Sequence, residues 1–140
     1  MVKWKQGKSQ AALDALNRNL DEPLSDDHKA QVHLSIAEIQ LELDEDIFAL
    51  ENLLKGAELT SDADQRGQIY YRISVLAFDK DDYELALSAN KNVIRYSLSK
   101  KRIEEANLQI VRIQRLLGNW DVVMSEIKSI LVDDLSLIHI

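Results

Sequence analysis

The side chains in this sequence that could carry out chemistry are its histidines and its pairs of neighbouring acids. His28 and His33 lie five residues apart, whereas two histidines that bind one metal ion on a helix face are usually four apart. The acid pairs, such as Asp81-Asp82, fall at predicted helix ends, where capping and the helix dipole account for negative charge. The sequence has no glycine-rich phosphate loop and no nucleophile elbow. We therefore expect no enzyme, no metal site and no cofactor.

A second group of side chains suits binding rather than catalysis. Tyr71 and Phe78 lie seven residues apart, on one face of a predicted helix, and Arg112 and Arg115 follow on a later helix. Aromatic and arginine side chains dominate the binding energy of protein interfaces. Residues 91–115 hold seven Lys or Arg against two Glu, a net charge of +5 in a chain of net charge −7. This polarity could steer an acidic partner, and the alternative is a solvated helix face with cations near helix C-termini.

Composition limits the fold and the partner classes. The chain has 140 residues, with 46% hydrophobic residues but only 4 Gly and 1 Pro, which favours an all-α fold of one compact domain. The absence of cysteine excludes disulfides and thiolate metal sites. A net negative charge argues against a nucleic-acid partner. Because no run approaches eighteen apolar residues, we expect no direct membrane insertion.

A helical hairpin at residues 70–94 is the pattern that the rest of the chain repeats. Two runs of helical periodicity meet there at the polar turn 79–82. We predict Asp81 as the N-cap of the second helix, in a capping box with Glu84. The small or apolar position held by Ala86 recurs at Ala12, Leu50 and Val123, at spacings of 38, 36 and 37 residues. A period of this length predicts a solenoid of repeated helix pairs.

The order of residues in this hairpin resembles the tetratricopeptide repeat. The residues that match its motif are Tyr70, Ile73, Ser74, Ala77, Tyr83, Ala86 and Val93. Asn90 departs from the motif, which has a large apolar residue there, and Leu98 replaces the closing proline. The resemblance implies a right-handed α-solenoid of antiparallel helix pairs, about seven helices in all. Tyr83 and Trp120 share one motif position, and we expect both rings to wedge into their hairpins.

The period divides the chain into units. A half repeat at 1–24 would hold only a second helix, and residues 1–6 would be the end of its lost first helix. Trp4 would then pack against Ala12 or Leu16, and the alternative is an aromatic residue in a flexible tail. Full repeats follow at 25–60, 61–98 and 99–134. Residues 135–140 continue no repeat, and their back-translation resembles a sequencing-library adapter, which indicates a non-native tail; the alternative is a genuine short apolar tail. We therefore expect a fragment of a longer protein whose uncapped ends fray or self-associate.

In tetratricopeptide proteins the first helix of each repeat lines a groove that holds a peptide or a helix. The resemblance places in that groove Val32, Ser35, Ile39 and Glu42 from the first full repeat, Gln68, Tyr71, Val75 and Phe78 from the second, and Glu105, Leu108, Arg112 and Arg115 from the third. The alternative is that Tyr71 and Phe78 are buried between repeats. Ser35 and Ile39 depart from the carboxylate-clamp pattern, so recognition of chaperone tails is not expected.

Residues 50–113 also resemble the repeat region of outer-membrane lipoproteins of type IX secretion and gliding motility. This resemblance implies a protein-binding scaffold in the cell envelope, although no signal-peptide core is visible in the first ten residues. The alternative is a cytoplasmic sensor or accessory module next to a kinase or transcription-regulator domain. An upstream lipobox would favour the first interpretation and a downstream catalytic or DNA-binding domain the second.

Overall fold

A computed structural model describes the backbone of residues 3–138 and the side chains of residues 5–133. This part of the chain is all helical, which confirms the predicted fold class. Seven helices follow one another: α1 (Lys3–Leu20), α2 (Asp26–Glu42), α3 (Asp46–Leu59), α4 (Ala63–Asp79), α5 (Tyr83–Tyr96), α6 (Lys100–Leu116) and α7 (Trp120–Ile138). Each packs chiefly against its neighbours in the sequence, as in a helical repeat.

The repeat has a strict period of 37 residues. The helices α2, α4 and α6 begin at residues 26, 63 and 100, and α3, α5 and α7 begin at 46, 83 and 120. The equivalent of Ala86 in α3 is therefore Ala49, which is fully buried like Ala86, whereas Leu50 is only partly buried. The predicted register at Leu50 is wrong by one residue. Ala49 and Ala86 thus place a small side chain at the close helix contact of the two hairpins.

The turn inside each hairpin repeats with the same period. Asp44 and Asp81 have φ 59°, and Gly118 has φ 77°, so each adopts the left-handed conformation that ends a helix in a Schellman motif. The next residue donates its N–H to a carbonyl five residues back, as Asp82 does to Ala77 at 2.9 Å. The predicted N-cap at Asp81 is therefore wrong. Asp82 caps α5 instead, and its carboxylate accepts from the N–H of Leu85.

The loops between hairpins are held by a second repeated contact. The Asp27 carboxylate accepts from the backbone N–H and the hydroxyl of Ser61, both at 2.8 Å. Asp64, 37 residues later, accepts from the backbone N–H of Leu98 at 3.1 Å. The bond from the Ser61 N–H lowers the pKa of Asp27 below its usual value. In each case a carboxylate in the first turn of one hairpin fixes the loop that leads to the next.

The N-terminal end of the repeat differs from the prediction, and the non-native C-terminal tail stays a prediction. Residues 3–6 belong to the same continuous helix as Gly7, so they are not the end of a separate helix; the Trp4 side chain lies outside the described residues. The exposed face of α1 carries polar residues such as Lys5, Asp14 and Arg18. The backbone of α7 runs on to Ile138. The side chains of the predicted tail 135–140 lie outside the described residues.

Helix α7 leaves much of its apolar surface exposed. Trp120 is 59% exposed, so the predicted wedge is wrong for this residue, whereas Tyr83 is partly buried beside Phe78. Large apolar side chains along the rest of the helix are also 40–62% exposed: Val122, Met124, Ile127, Ile130, Leu131 and Val132. The equivalents of Ile127 in α3 and α5 are Leu53 and Asn90, which are almost completely buried because α4 and α6 pack over these helices.

Candidate functional site

A cavity of about 410 Å³ opens between α4 and α6. Tyr71, Val75 and Phe78 line it from α4, because spacings of three and four residues place them on one helix face. Arg112 lines it from α6. Tyr71 is 37% exposed and Val75 is 44% exposed, so these side chains remain accessible between the two helices. The structure thus brings five of the predicted groove residues together around one cavity: Tyr71, Val75, Phe78, Glu105 and Arg112.

Cation–π contacts join the two helices at this cavity. The guanidinium carbon of Arg112 lies 5.1 Å from the centre of the Phe78 ring, and that of Arg102 lies 5.3 Å from the centre of the Tyr71 ring. The Tyr83 ring packs edge-on against Phe78 at 5.6 Å, and its hydroxyl donates to Asp81, which raises the pKa of Tyr83. These contacts position the rings of the α4 side.

The other predicted groove residues do not line the cavity. Leu108 is 68% exposed, and Arg115 is exposed on the same helix. Ser35, Ile39 and Glu42 lie on α2, one residue out of register, because the equivalents of Tyr71, Val75 and Phe78 at the 37-residue period are Leu34, Glu38 and Leu41. A shift of one residue turns the helix face by about 100°. The predicted groove positions on α2 are therefore off by one residue.

The inner wall of the cavity is polar. Asn90 is 3% exposed and its Nδ2 donates to the Ala86 carbonyl at 2.9 Å. Ser74 is 5% exposed and its hydroxyl donates to the Tyr71 carbonyl at 2.6 Å. Gln109 Oε1 is buried and has no hydrogen-bond partner within the described part of the chain. An unpaired buried acceptor is unfavourable by about 1–3 kcal/mol, so its presence in a cavity calls for an explanation.

The location between α2 and α4 that corresponds to this cavity, 37 residues earlier in the repeat, is filled by side chains. Where the cavity has Ala106, the earlier position has Ile69, which is 3% exposed, and where it has Asn90, the earlier position has Leu53, which is fully buried. The positions of Val75 and Gln109 are held there by Glu38 and Arg72.

Glu38 and Arg72 form a salt bridge of 3.4 Å across α2 and α4. Val75 and Gln109, which replace this pair between α4 and α6, are uncharged and form no salt bridge. The cavity therefore exists because a large apolar side chain, an apolar core residue and an ion pair are all replaced at one place in the repeat.

The rim of the cavity carries charge of both signs. Asp79 and Glu105 line it with their carboxylates, and Arg112 lines it with the guanidinium group that lies over Phe78. Neither Asp79 nor Glu105 has a cationic group within 4 Å among the described residues. The cavity therefore combines aromatic and aliphatic walls with an excess of anionic groups at its entrance.

The sequence reasoning missed Ala106 and Gln109 as site residues. It noted Asn90 as a polar residue at an apolar motif position, and that departure was the available signal. The importance of Asn90 becomes visible only when Gln109, nineteen residues later, is placed on the opposite wall.

The histidines take part in local hydrogen bonds. His28 contacts the Ser25 hydroxyl, and His33 contacts Asn52 Oδ1 at 2.8 Å between α2 and α3. No group of three or more histidines or acids within the described residues could hold a metal ion. The helices described here include none that is long and apolar enough to cross a membrane. Comparison of the chain with protein-family models, with curated proteins and with solved structures gives no match.

Proposed function

We propose that this chain is a non-catalytic scaffold of tetratricopeptide-like repeats that binds a peptide segment of another protein between α4 and α6. The observation that carries the proposal is the difference between the two equivalent places in the repeat. Between α2 and α4 the place is packed and closed by the salt bridge of Glu38 and Arg72. Between α4 and α6 it is open, and Gln109 is left with an unpaired buried oxygen.

The chemistry of the walls supports a peptide as the occupant. Tyr71 and Phe78 offer aromatic surface that is partly accessible, and Arg112 offers hydrogen-bond donors at the rim. Interface anchors are enriched in these residue types. Carboxamide groups on the inner wall, from Asn90 and Gln109, suit the hydrogen-bonding groups of a polypeptide.

The proposal is tested by selecting binders from a displayed library of random nonapeptides. Selected peptides are then measured against the wild-type chain and against a double variant, Ala106→Ile with Asn90→Leu. This variant restores the residue types that fill the equivalent place, so it should fold and should lose binding.

A matched control is Ile47→Ser on the outer face of α3, where Ile47 is 71% exposed. We expect this control to retain binding. Peptides that bind the filled variant as tightly as the wild type would contradict the proposal.

The resemblance to envelope lipoproteins of type IX secretion and gliding motility stays a prediction. So does the alternative of a regulatory accessory module. Both agree with a peptide-binding scaffold, and they differ in what flanks the repeats. Reading the flanking genomic sequence for a lipobox or for a kinase or DNA-binding domain distinguishes them.

A further inference from the structure

We infer that the cavity between α4 and α6 receives a basic side chain, arginine or lysine, of the bound peptide. The inference rests on the proposed function, because it names which residue of a peptide partner enters the site. It rests on the hydrogen-bonding groups that the cavity leaves unused and on the charge at its rim.

The inner wall offers acceptor oxygens to an occupant. Asn90 commits its Nδ2 to the Ala86 carbonyl, which leaves Oδ1 as an acceptor. Ser74 commits its hydroxyl hydrogen to the Tyr71 carbonyl. Gln109 Oε1 is buried without a partner in the described chain. An occupant with several N–H groups would satisfy the Asn90 oxygen directly and the Gln109 oxygen after rotation of that side chain. Guanidinium and ammonium groups carry such donors without any acceptor.

The rim favours the same choice of charge. Asp79 and Glu105 both line the cavity and neither is neutralised by a cation within 4 Å in the described part of the chain. A carboxylate that entered would meet these two like charges against the single guanidinium group of Arg112, so the balance of charge disfavours an acidic residue at this point. A cation would form charge-assisted hydrogen bonds with them, and these are stronger than neutral ones.

The walls suit the apolar stem of a long basic side chain. Val75 and Ala106 provide aliphatic surface, and Tyr71 and Phe78 provide aromatic surface. Basic side chains bury their methylene groups along apolar surface while the charged end reaches polar groups. The position of Arg112 over Phe78 shows that a ring of this cavity accepts a guanidinium group. Of the seven cations in residues 91–115, Arg95, Arg102 and Arg112 lie over the chain's own aromatic rings.

The test uses four pools of acetylated, amidated nonapeptides with random flanks and a central residue fixed as Arg, Lys, Leu or Glu. Binding of each pool is measured by fluorescence anisotropy to the wild type, to Asp79→Asn with Glu105→Gln, and to the filled variant Ala106→Ile with Asn90→Leu. Glu84→Gln is the matched control, because Glu84 is an exposed acid of α5 that does not line the cavity. Thermal melts establish that each variant is folded.

We expect the Arg and Lys pools to bind the wild type at least about tenfold more tightly than the Glu pool, the factor that one charge-assisted hydrogen bond supplies. The preference should disappear in the variant without the two carboxylates and persist in Glu84→Gln. A preference for the Leu or Glu pool that the filled variant abolishes would overturn the basic side chain and leave the peptide site standing. Equal binding of all pools to wild type and filled variant, or no binding of any pool, would overturn both.

Discussion

Filling the cavity between α4 and α6 should stabilise the protein, and opening the equivalent place between α2 and α4 should destabilise it. The first change is Ala106→Ile and the second is Ile69→Ala. Both positions lie at the same point of the 37-residue period, and both side chains are 2–3% exposed. The pair therefore exchanges one side chain between two equivalent sites that differ in whether space is present.

The magnitudes follow from the packing. Three added carbon atoms at Ala106 contribute about 0.8 kcal/mol each when they fill empty space, and the lost rotamer freedom of isoleucine offsets about 0.5–1 kcal/mol. We expect Ala106→Ile to raise the free energy of unfolding by about 1.5 kcal/mol. At Ile69 the same carbons leave a packed core, so Ile69→Ala should lower the free energy of unfolding by about 2–5 kcal/mol.

The assay is urea unfolding followed by far-ultraviolet circular dichroism, with the slope compared between variants so that a changed unfolded state is recognised. Gly7→Ala is the control for measuring a small gain in the free energy of unfolding, because a methyl group added at Gly7 would meet nothing within 4 Å. A loss of more than about 1 kcal/mol from Ala106→Ile, the result expected of an overpacked core, would refute the reasoning that the place is open. A loss below about 1 kcal/mol from Ile69→Ala would refute the claim that its counterpart is filled.

Three further predictions concern the repeat itself. Gly67→Ala should lower the free energy of unfolding by about 1–3 kcal/mol, because its Cβ would lie 2.8 Å from the Ser97 backbone; an unchanged urea midpoint would contradict this. Asp27→Asn should remove a component of stability that is present above pH 3.8, the usual pKa of an aspartate, and that is lost as pH falls through the lowered folded-state pKa of Asp27. Plots of unfolding free energy against pH for wild type and variant should therefore converge in acid, and parallel plots would contradict this. Self-association through α7 should appear as a concentration-dependent mass in sedimentation equilibrium and disappear in Ile127→Lys, since Ile127 is 40% exposed; a variant that associates like the wild type would exclude that face.

The helical repeat was predictable because the apolar period survives in every unit. The register was harder to predict where two apolar residues are adjacent: Ala49 and Leu50 both fit the pattern, and only the close contact of helices selects the smaller one. The turn shows the same limit. Asp81 and Asp82 are chemically identical caps, and the left-handed backbone at the first of them transfers the capping role to the second.

The α4 side of the candidate site was predictable, and on the α6 side only Glu105 and Arg112 were predicted. Tyr71, Val75 and Phe78 follow from helical spacing within α4, and the sequence placed them together. The opposite wall depends on which residues of α5 and α6 approach α4 across the packed repeat. Asn90 and Gln109 are therefore recognisable as polar residues in the sequence, but their convergence on one cavity is a property of the packing.

The most direct test of the peptide site is a nuclear magnetic resonance titration of the isotope-labelled chain with the nonapeptide pool that has a central arginine. We predict chemical-shift changes at the Ala106 methyl group, the Gln109 side-chain amide and the Val75 methyl groups, with little change at Ile47 on α3. Changes confined to α3, or to the exposed apolar face of α7, would contradict the account.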